Sequence, residues 1–381
     1  MHASDDRRSD QKPSLSVESA RAGDPALGNR QDVCSCAASQ RRGFLTGLLA
    51  AGAATFLSAC STPAQLVASR SREHRLIDTH HHLVAPAHLA ALEKANEATP
   101  PARSWSISRT LEDMEKAGVA TSILSPTTPH VSFLDFESGR RVARESNEWT
   151  AKLCAAHPGR FGFFAMLPMQ DIDGSLREIE FSLDKLKADG IAMPTNLGDK
   201  WLGHPSFSPI MNELNRRKAI VYTHPTTADC CRYLLPGIPP TVVEFGTDTT
   251  RTITDIVFSG TAARCPDLRF IFSHGGGTLP YLVERMVKMP TLDPRLKLKV
   301  PRGVEFELAR FYYDTAWVAN PVAMAALTRF VSPSQILFGS DFPYRTGEDN
   351  VNGLSAHGFT SGELRAIERD NAARLFPRLP T

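Results

Sequence analysis

From residue 75 onward the chain alternates between short apolar runs, rich in β-branched and aromatic residues, and longer amphipathic segments. Runs of the first kind predict strands. Segments whose apolar positions recur three and four residues apart predict helices. Strands are expected over 75–79, 120–124, 161–166, 190–193, 219–223, 268–273, 311–314 and 335–338. Helices are expected between them: Ser108 to Ala117, opened by a Ser cap; Ser138 to His157, stopped by Pro158-Gly159; Asp173 to Asp189; Pro209 to Lys218; Thr249 to Cys265; Pro280 to Val287; Pro321 to Phe330; and Ser361 to Phe376. Eight strands, each followed by a helix, give an α/β fold with the element order of a (β/α)8 or TIM barrel. A doubly wound open sheet is the alternative, but it would not bring the first and eighth strands together.

The first 60 residues read differently. Residues 1–40 are polar and lack apolar periodicity. Arg41-Arg42-Gly43-Phe44-Leu45 then leads into an Ala/Gly/Leu stretch that ends in Leu57-Ser58-Ala59-Cys60. A basic start, a short apolar middle and small residues at the end describe a signal peptide, with the Arg pair in the position of a twin-arginine export motif. Leu57-Ser58-Ala59-Cys60 resembles a lipobox, in which Cys60 would carry a lipid anchor. The organisation expected is therefore a leader over 1–60, a linker over 61–74 and one barrel domain over 75–381. The expected location is periplasmic or membrane-anchored, with the export machinery as a partner. A start codon downstream of the leader would make the protein cytoplasmic instead.

Composition narrows the class without naming a function. A formal net charge of +2, with 42 % hydrophobic and 22 % charged residues, fits a soluble enzyme. No basic run interleaved with aromatics is present, so nucleic acid is not an expected partner. The cysteines outside the leader, Cys154, Cys230, Cys231 and Cys265, form neither a CxxC pair nor a disulfide framework.

The chemistry lies at the strand ends. The first strand runs into Asp78-Thr79-His80-His81-His82. Side chains alternate along a strand, so His80 and His82 project to one side with Asp78 behind them, and His81 faces away. The fifth strand ends in His224-Pro225, the sixth in His274-Gly275-Gly276-Gly277, and the eighth in Asp341-Phe342-Pro343. A lone His in such a place is usually a hydrogen-bonded core residue, and a lone Asp a helix cap. Several of them at strand ends that a barrel gathers on one face point to a metal site.

Together, Asp78-x-His80-x-His82, Thr223-His224-Pro225, His274-Gly275-Gly276-Gly277 and Phe338-Gly339-Ser340-Asp341-Phe342-Pro343 resemble the amidohydrolase-related metal-dependent decarboxylases. That group includes the aminocarboxymuconate semialdehyde, γ-resorcylate and 6-methylsalicylate decarboxylases. The resemblance covers roughly residues 75–378. It implies a TIM barrel of the metal-dependent hydrolase type and a carboxy-lyase activity on a small carboxylic acid. His80, His82, His224 and Asp341 would hold one divalent metal, zinc or in some relatives manganese, and His274 would be the acid/base residue beside it. Arg285, eleven positions after His274, matches an Arg that reaches the substrate carboxylate of a neighbouring subunit, so a homodimer is implied. Thr226 stands where the muconate enzymes carry an aromatic residue, and the stretch before Trp105 is short for their arginine-bearing hairpin. Both departures favour a salicylate-like aromatic acid. The fourth strand ends in Ala192-Met193-Pro194-Thr195, without the Lys of binuclear hydrolases, so a single metal is expected.

The expected reaction protonates the ring carbon bearing the carboxylate and then releases CO2, with Asp341 or His274 as proton donor. Two readings compete with it. A lactonase would use the same site to hydrolyse a cyclic ester. An exported metal- or solute-binding lipoprotein would catalyse nothing, but it would have no use for a His274 beside a complete ligand set.

Overall fold

The structure, a computed structural model, describes residues 76–379. The leader with Arg41, Arg42 and Cys60, and the linker, lie outside the described residues. Eight strands form the central sheet: β1 (Leu76–Leu83), β2 (Val119–Pro126), β3 (Phe161–Met166), β4 (Gly190–Pro194), β5 (Ile220–His224), β6 (Arg269–Phe272), β7 (Tyr312–Asp314) and β8 (Ile336–Leu337). Each is parallel to the next in chain order. The sheet closes through backbone bonds from Thr79 to Phe338, Asp341 to His80 and His82 to Phe342, at 2.8–2.9 Å. The expected (β/α)8 barrel is the fold. Closure brings the first and eighth strands together, which an open sheet would not do.

The core has two layers, as a barrel requires. Ile77, Ile123, Phe164, Ala192, Tyr222, Ile271 and Leu337 fill the interior, with Leu375 and Phe376 of the last helix packed against them. A larger cluster, including Phe163, Ile191, Val221, Phe270 and Phe272, sits between the strands and the surrounding helices. Burial on both faces explains why these strands read as continuous apolar runs.

The structure corrects several helix limits. The first expected helix is capped by Ser106, not by the serine two positions later: Ser106 Oγ accepts the Arg109 N–H at 3.3 Å. The helix expected over 249–265 begins earlier, at Glu244, and ends at Phe258. Gly260, at φ +79°, turns the chain into a separate short helix, Thr261–Arg264. The helix after β6 runs from Leu279 to Leu292, past its expected end. A helix not expected at all, Gly347–His357, is capped by Thr346, whose Oγ1 accepts the Asp349 N–H at 3.2 Å. Its sequence is polar and small, without the apolar stripe that reveals a helix from sequence. Among the described residues, no helix is long and apolar enough to cross a membrane.

Candidate metal centre

The C-terminal strand ends deliver their side chains to one mouth of the barrel. Five donors meet there: His80 and His82 from β1, His224 from β5, His274 just after β6 and Asp341 after β8. One ligand atom each from His80, His224, His274 and Asp341 lies within 4.8 Å of the others. His82 joins them, with Nε2 at 2.9 Å from Asp341 Oδ1 and 3.3 Å from His80 Nε2. All five side chains are buried.

Local backbone makes the convergence possible. His274 and Asp341 adopt φ of +55° and +64°, left-handed values that non-glycine residues rarely take. They aim the two side chains inward from the turns that leave their strands. Gly277 permits the first turn to pack, since a Cβ there would stand 2.0 Å from the Gly246 carbonyl oxygen. Gly339 does the same beneath the site, where a Cβ would meet that of His80 at 2.8 Å.

Surrounding groups orient the ring nitrogens. His80 Nδ1 donates to Asp314 Oδ2 at 2.8 Å, which leaves Nε2 facing the centre. Asp314 Oδ1 accepts the His274 backbone N–H at 2.9 Å and the Ala316 N–H at 3.1 Å, so one carboxylate at the end of β7 fixes a ring and the turn carrying another. His82 Nδ1 faces the Pro126 carbonyl at 3.3 Å, and His224 Nδ1 faces the Pro225 carbonyl at 3.0 Å. Carboxylates and carbonyls on the far nitrogen are the usual partners of metal-bound imidazoles. Asp314 and Trp317, whose indole N–H donates to Asp341 Oδ2 at 2.5 Å, were not among the site residues expected from sequence. Asp314 ends a strand as the others do. No pattern announces Trp317.

Asp78 stays out of the centre. Its carboxylate accepts the Ser340 N–H at 3.0 Å and Ser340 Oγ–H at 2.6 Å, fastening β1 to the turn after β8. His81 faces away as expected, stacked on Phe342 with ring centroids 4.8 Å apart. Arg285 is not brought to the site by its own chain. It lies exposed on the helix Leu279–Leu292 and makes no hydrogen bond or ion pair to another described residue. Its neighbour Glu284 pairs with Lys288 instead, at 2.7 Å.

Donor chemistry and orphaned atoms both fit a cation. His224 Nε2 and His274 Nε2 are buried without a hydrogen-bond partner among the described residues. Buried polar atoms rarely remain so, because each costs about 1–3 kcal/mol. Two nitrogens sharing a tetrahedral zinc at 2.0–2.1 Å would stand about 3.3 Å apart, the separation found between His80 and His82 Nε2. His80, His82 and His224 Nε2 approach Asp341 Oδ1, at 3.0, 2.9 and 3.9 Å. His274 Nε2 instead approaches Oδ2, at 3.6 Å.

Electrostatics prepare the same atoms. Burial pushes the His82 imidazole below its ordinary value. Burial also drives His224 well below it, reinforced by the charges of His82, His80 and His274. His80 goes the other way: burial acts to lower it, but Asp314 and Asp341 outweigh burial and raise it to about 10. Burial alone would raise Asp341, yet the charge of His80 and the imidazoles of His274, His80 and His82 facing its carboxylate hold it well below the carboxylate range. Near pH 7, then, His82 and His224 are neutral, Asp341 is ionised, and His80 carries a proton where a metal would bind. Metal uptake has to displace that proton, so affinity rises as pH rises, with about one proton released per metal. Calorimetric titration in buffers of different ionisation enthalpy should read this directly. Zero proton release at pH 7 would contradict it.

Comparison with known proteins places this geometry. The amidohydrolase family profile matches residues 77–378. The chain belongs to the amidohydrolase family. A 6-methylsalicylic acid decarboxylase of Aspergillus aculeatus is 37 % identical over 320 residues, covering 80 % of this chain and 96 % of that protein. A γ-resorcylate decarboxylase of Rhizobium radiobacter is 27 % identical, over 70 % of this chain and 85 % of that one. The crystal structure of a 5-carboxyvanillate decarboxylase from Sphingomonas paucimobilis shares the fold, with a TM-score of 0.71 at 22 % identity over 80 % of this chain and 99 % of that one. In this amidohydrolase the His and Asp cluster is a divalent-metal site.

Proposed function

We propose that the protein is a metal-dependent carboxy-lyase that decarboxylates a small aromatic 2-hydroxy acid of the salicylate type. The observation that carries this reading is the pairing of a metal-ligand cluster with His274, whose Nε2 faces the outer oxygen of Asp341. The chain's identity to a 6-methylsalicylic acid decarboxylase over nearly that enzyme's whole length supports the substrate class. His80, His82, His224 and Asp341 would hold the metal. Zinc suits three imidazoles and one carboxylate, and manganese is the alternative. When bound, a divalent cation polarises a substrate oxygen and orients adjacent hydroxyl and carboxylate groups.

The chain's own residues supply the proton. His274 delivers it to the ring carbon bearing the carboxylate, or Asp341 does so after taking up the proton of the substrate hydroxyl. The carbon–carboxylate bond then breaks, CO2 leaves, and the bonding electron pair restores the aromatic ring. The test is to incubate metal-loaded protein with 2-hydroxybenzoates and with cyclic aromatic esters. Release of CO2 from the first supports the proposal, and ring-opened acid from the second alone would make the protein a lactonase. A binding protein would do neither.

Arg285 is proposed to serve the neighbouring subunit of a homodimer. Its side chain is exposed and makes no hydrogen bond or ion pair to another described residue, and its helix presents Tyr281 at 87 % and Leu292 at 75 % exposure, an apolar face suited to a partner. An Arg fork matches a carboxylate in a way Lys cannot. Arg285→Ala should raise KM about tenfold or more and leave metal content unchanged. Mixing Arg285→Ala with His274→Ala chains should restore activity, since one hybrid site has both residues intact. No recovery in verified mixed dimers would sink the shared site.

The leader supports a further proposal, export through the twin-arginine route with Cys60 as a lipid anchor. Replacing Arg41-Arg42 by two lysines should hold the protein in the cytoplasm. Unchanged localisation would show that the leader is not used.

A further inference from the structure

Trp317 combines three features that a structural tryptophan does not need. Its indole N–H donates to Asp341 Oδ2 at 2.5 Å, while its side chain remains 52 % exposed. Its φ is +62°, in the left-handed region, as is that of its partner Asp341. Strained residues that persist are held by their surroundings and cluster where function needs a fixed geometry. Here the turn is held by Asp314, which takes the Ala316 N–H, and by Thr315, whose carbonyl takes the Val318 N–H at 3.1 Å. The Arg345 guanidinium stacks on the indole, 5.2 Å from its centroid, and backs it from the side of the loop after β8.

We propose that Trp317 is a positioning residue for Asp341 and also the wall on which an aromatic substrate stacks. The positioning argument is geometric. With Oδ2 taken by the indole, Asp341 turns Oδ1 toward the Nε2 atoms of His80 and His82, at 3.0 and 2.9 Å. Without the N–H, the carboxylate can rotate about its last torsion and lose that aim. The stacking argument is one of surface. A half-exposed indole at the rim of a buried polar centre offers a flat apolar face beside the position of the reacting carboxylate. A planar acid is the ligand such a face fits. This second role rests on the substrate class proposed above; the first does not.

Two variants separate the roles. Trp317→Phe keeps a ring and removes the N–H. Trp317→Ala removes both. Mn2+ affinity, measured by chelator competition on the protein alone, should fall about tenfold in Trp317→Phe. Binding of 2-hydroxybenzoate, measured in a His274→Ala background where turnover is stopped, should be near the parent value in Trp317→Phe and about tenfold weaker in Trp317→Ala. Thermal unfolding of each variant checks that the fold survives, and Trp317→Phe remains informative if Trp317→Ala does not fold. Unchanged Mn2+ affinity in Trp317→Phe would overturn the positioning role. Equal ligand binding in the two variants would overturn the stacking role. Failure of the parent enzyme to decarboxylate any 2-hydroxybenzoate would unseat the substrate class and leave the Mn2+ measurement as the deciding test of Trp317.

Discussion

His274→Ala is expected to retain its divalent metal and to lose turnover by about a hundredfold or more, the usual contribution of a positioned acid or base. The expectation rests on where His274 sits relative to the other donors. His80, His82 and His224 approach one oxygen of Asp341, whereas His274 approaches the other, at 3.6 Å. Three imidazoles and one carboxylate already complete a common set of metal ligands. A fifth donor on the far side of the carboxylate is placed to meet substrate. Its buried, unpartnered Nε2 also lacks the hydrogen bond a structural histidine would have. Metal content and single-turnover rate should therefore separate cleanly in this variant. If the metal is lost as well, and excess zinc restores activity, His274 is a ligand and the proton comes from Asp341.

Sequence alone made the barrel legible because its strands are buried on both faces. Phe161 to Met166 and Ala219 to Tyr222 stand as apolar runs between polar helices, and the structure places strands there, Phe161–Met166 and Ile220–His224, with ends shifted by at most one residue from those expected. Metal-ligand candidates were legible for a related reason: His and Asp at the ends of such runs have no apolar role to play. What sequence did not show depends on contacts between distant turns. Asp314 looks like any acidic residue after a strand until its carboxylate is seen between His80 and the His274 backbone, 234 and 40 positions away. Trp317 lies in a tight turn whose left-handed φ no local pattern announces. The helix Gly347–His357 was hidden because Asn350, its buried polar residue, bonds to the Ser340 carbonyl at 2.9 Å rather than joining an apolar stripe. Arg285 was legible only through resemblance. The structure leaves it exposed.

His80→Ala and Asp341→Ala should each lose the metal together with activity, by about a thousandfold or more, since every step needs the oriented substrate oxygen. The two positions differ from the surrounding shell in a measurable way. Asp314 touches no common centre, but it fixes the tautomer of His80 and the turn of His274 through bonds of 2.8 and 2.9 Å. Asp314→Asn keeps the shape and one of the two acceptor oxygens, and it removes the charge and sets an NH2 against either the His80 ring N–H or the backbone N–H groups, so metal affinity should fall about ten- to hundredfold, and excess zinc should recover activity. Asp314→Ala should in addition lower thermal stability. It leaves the His80 ring N–H and the backbone N–H groups of His274 and Ala316 buried without partners, at about 1–3 kcal/mol for each group left unpaired. Excess zinc should not rescue Asp341→Ala, because the oxygen lost there is one the imidazoles share. Dialysed metal content, zinc-titrated activity and unfolding temperature on the four variants test this ordering. Rescue of Asp341→Ala by zinc would remove Asp341 from the ligand set. Failure to rescue Asp314→Asn would make Asp314 part of the chemistry rather than its support.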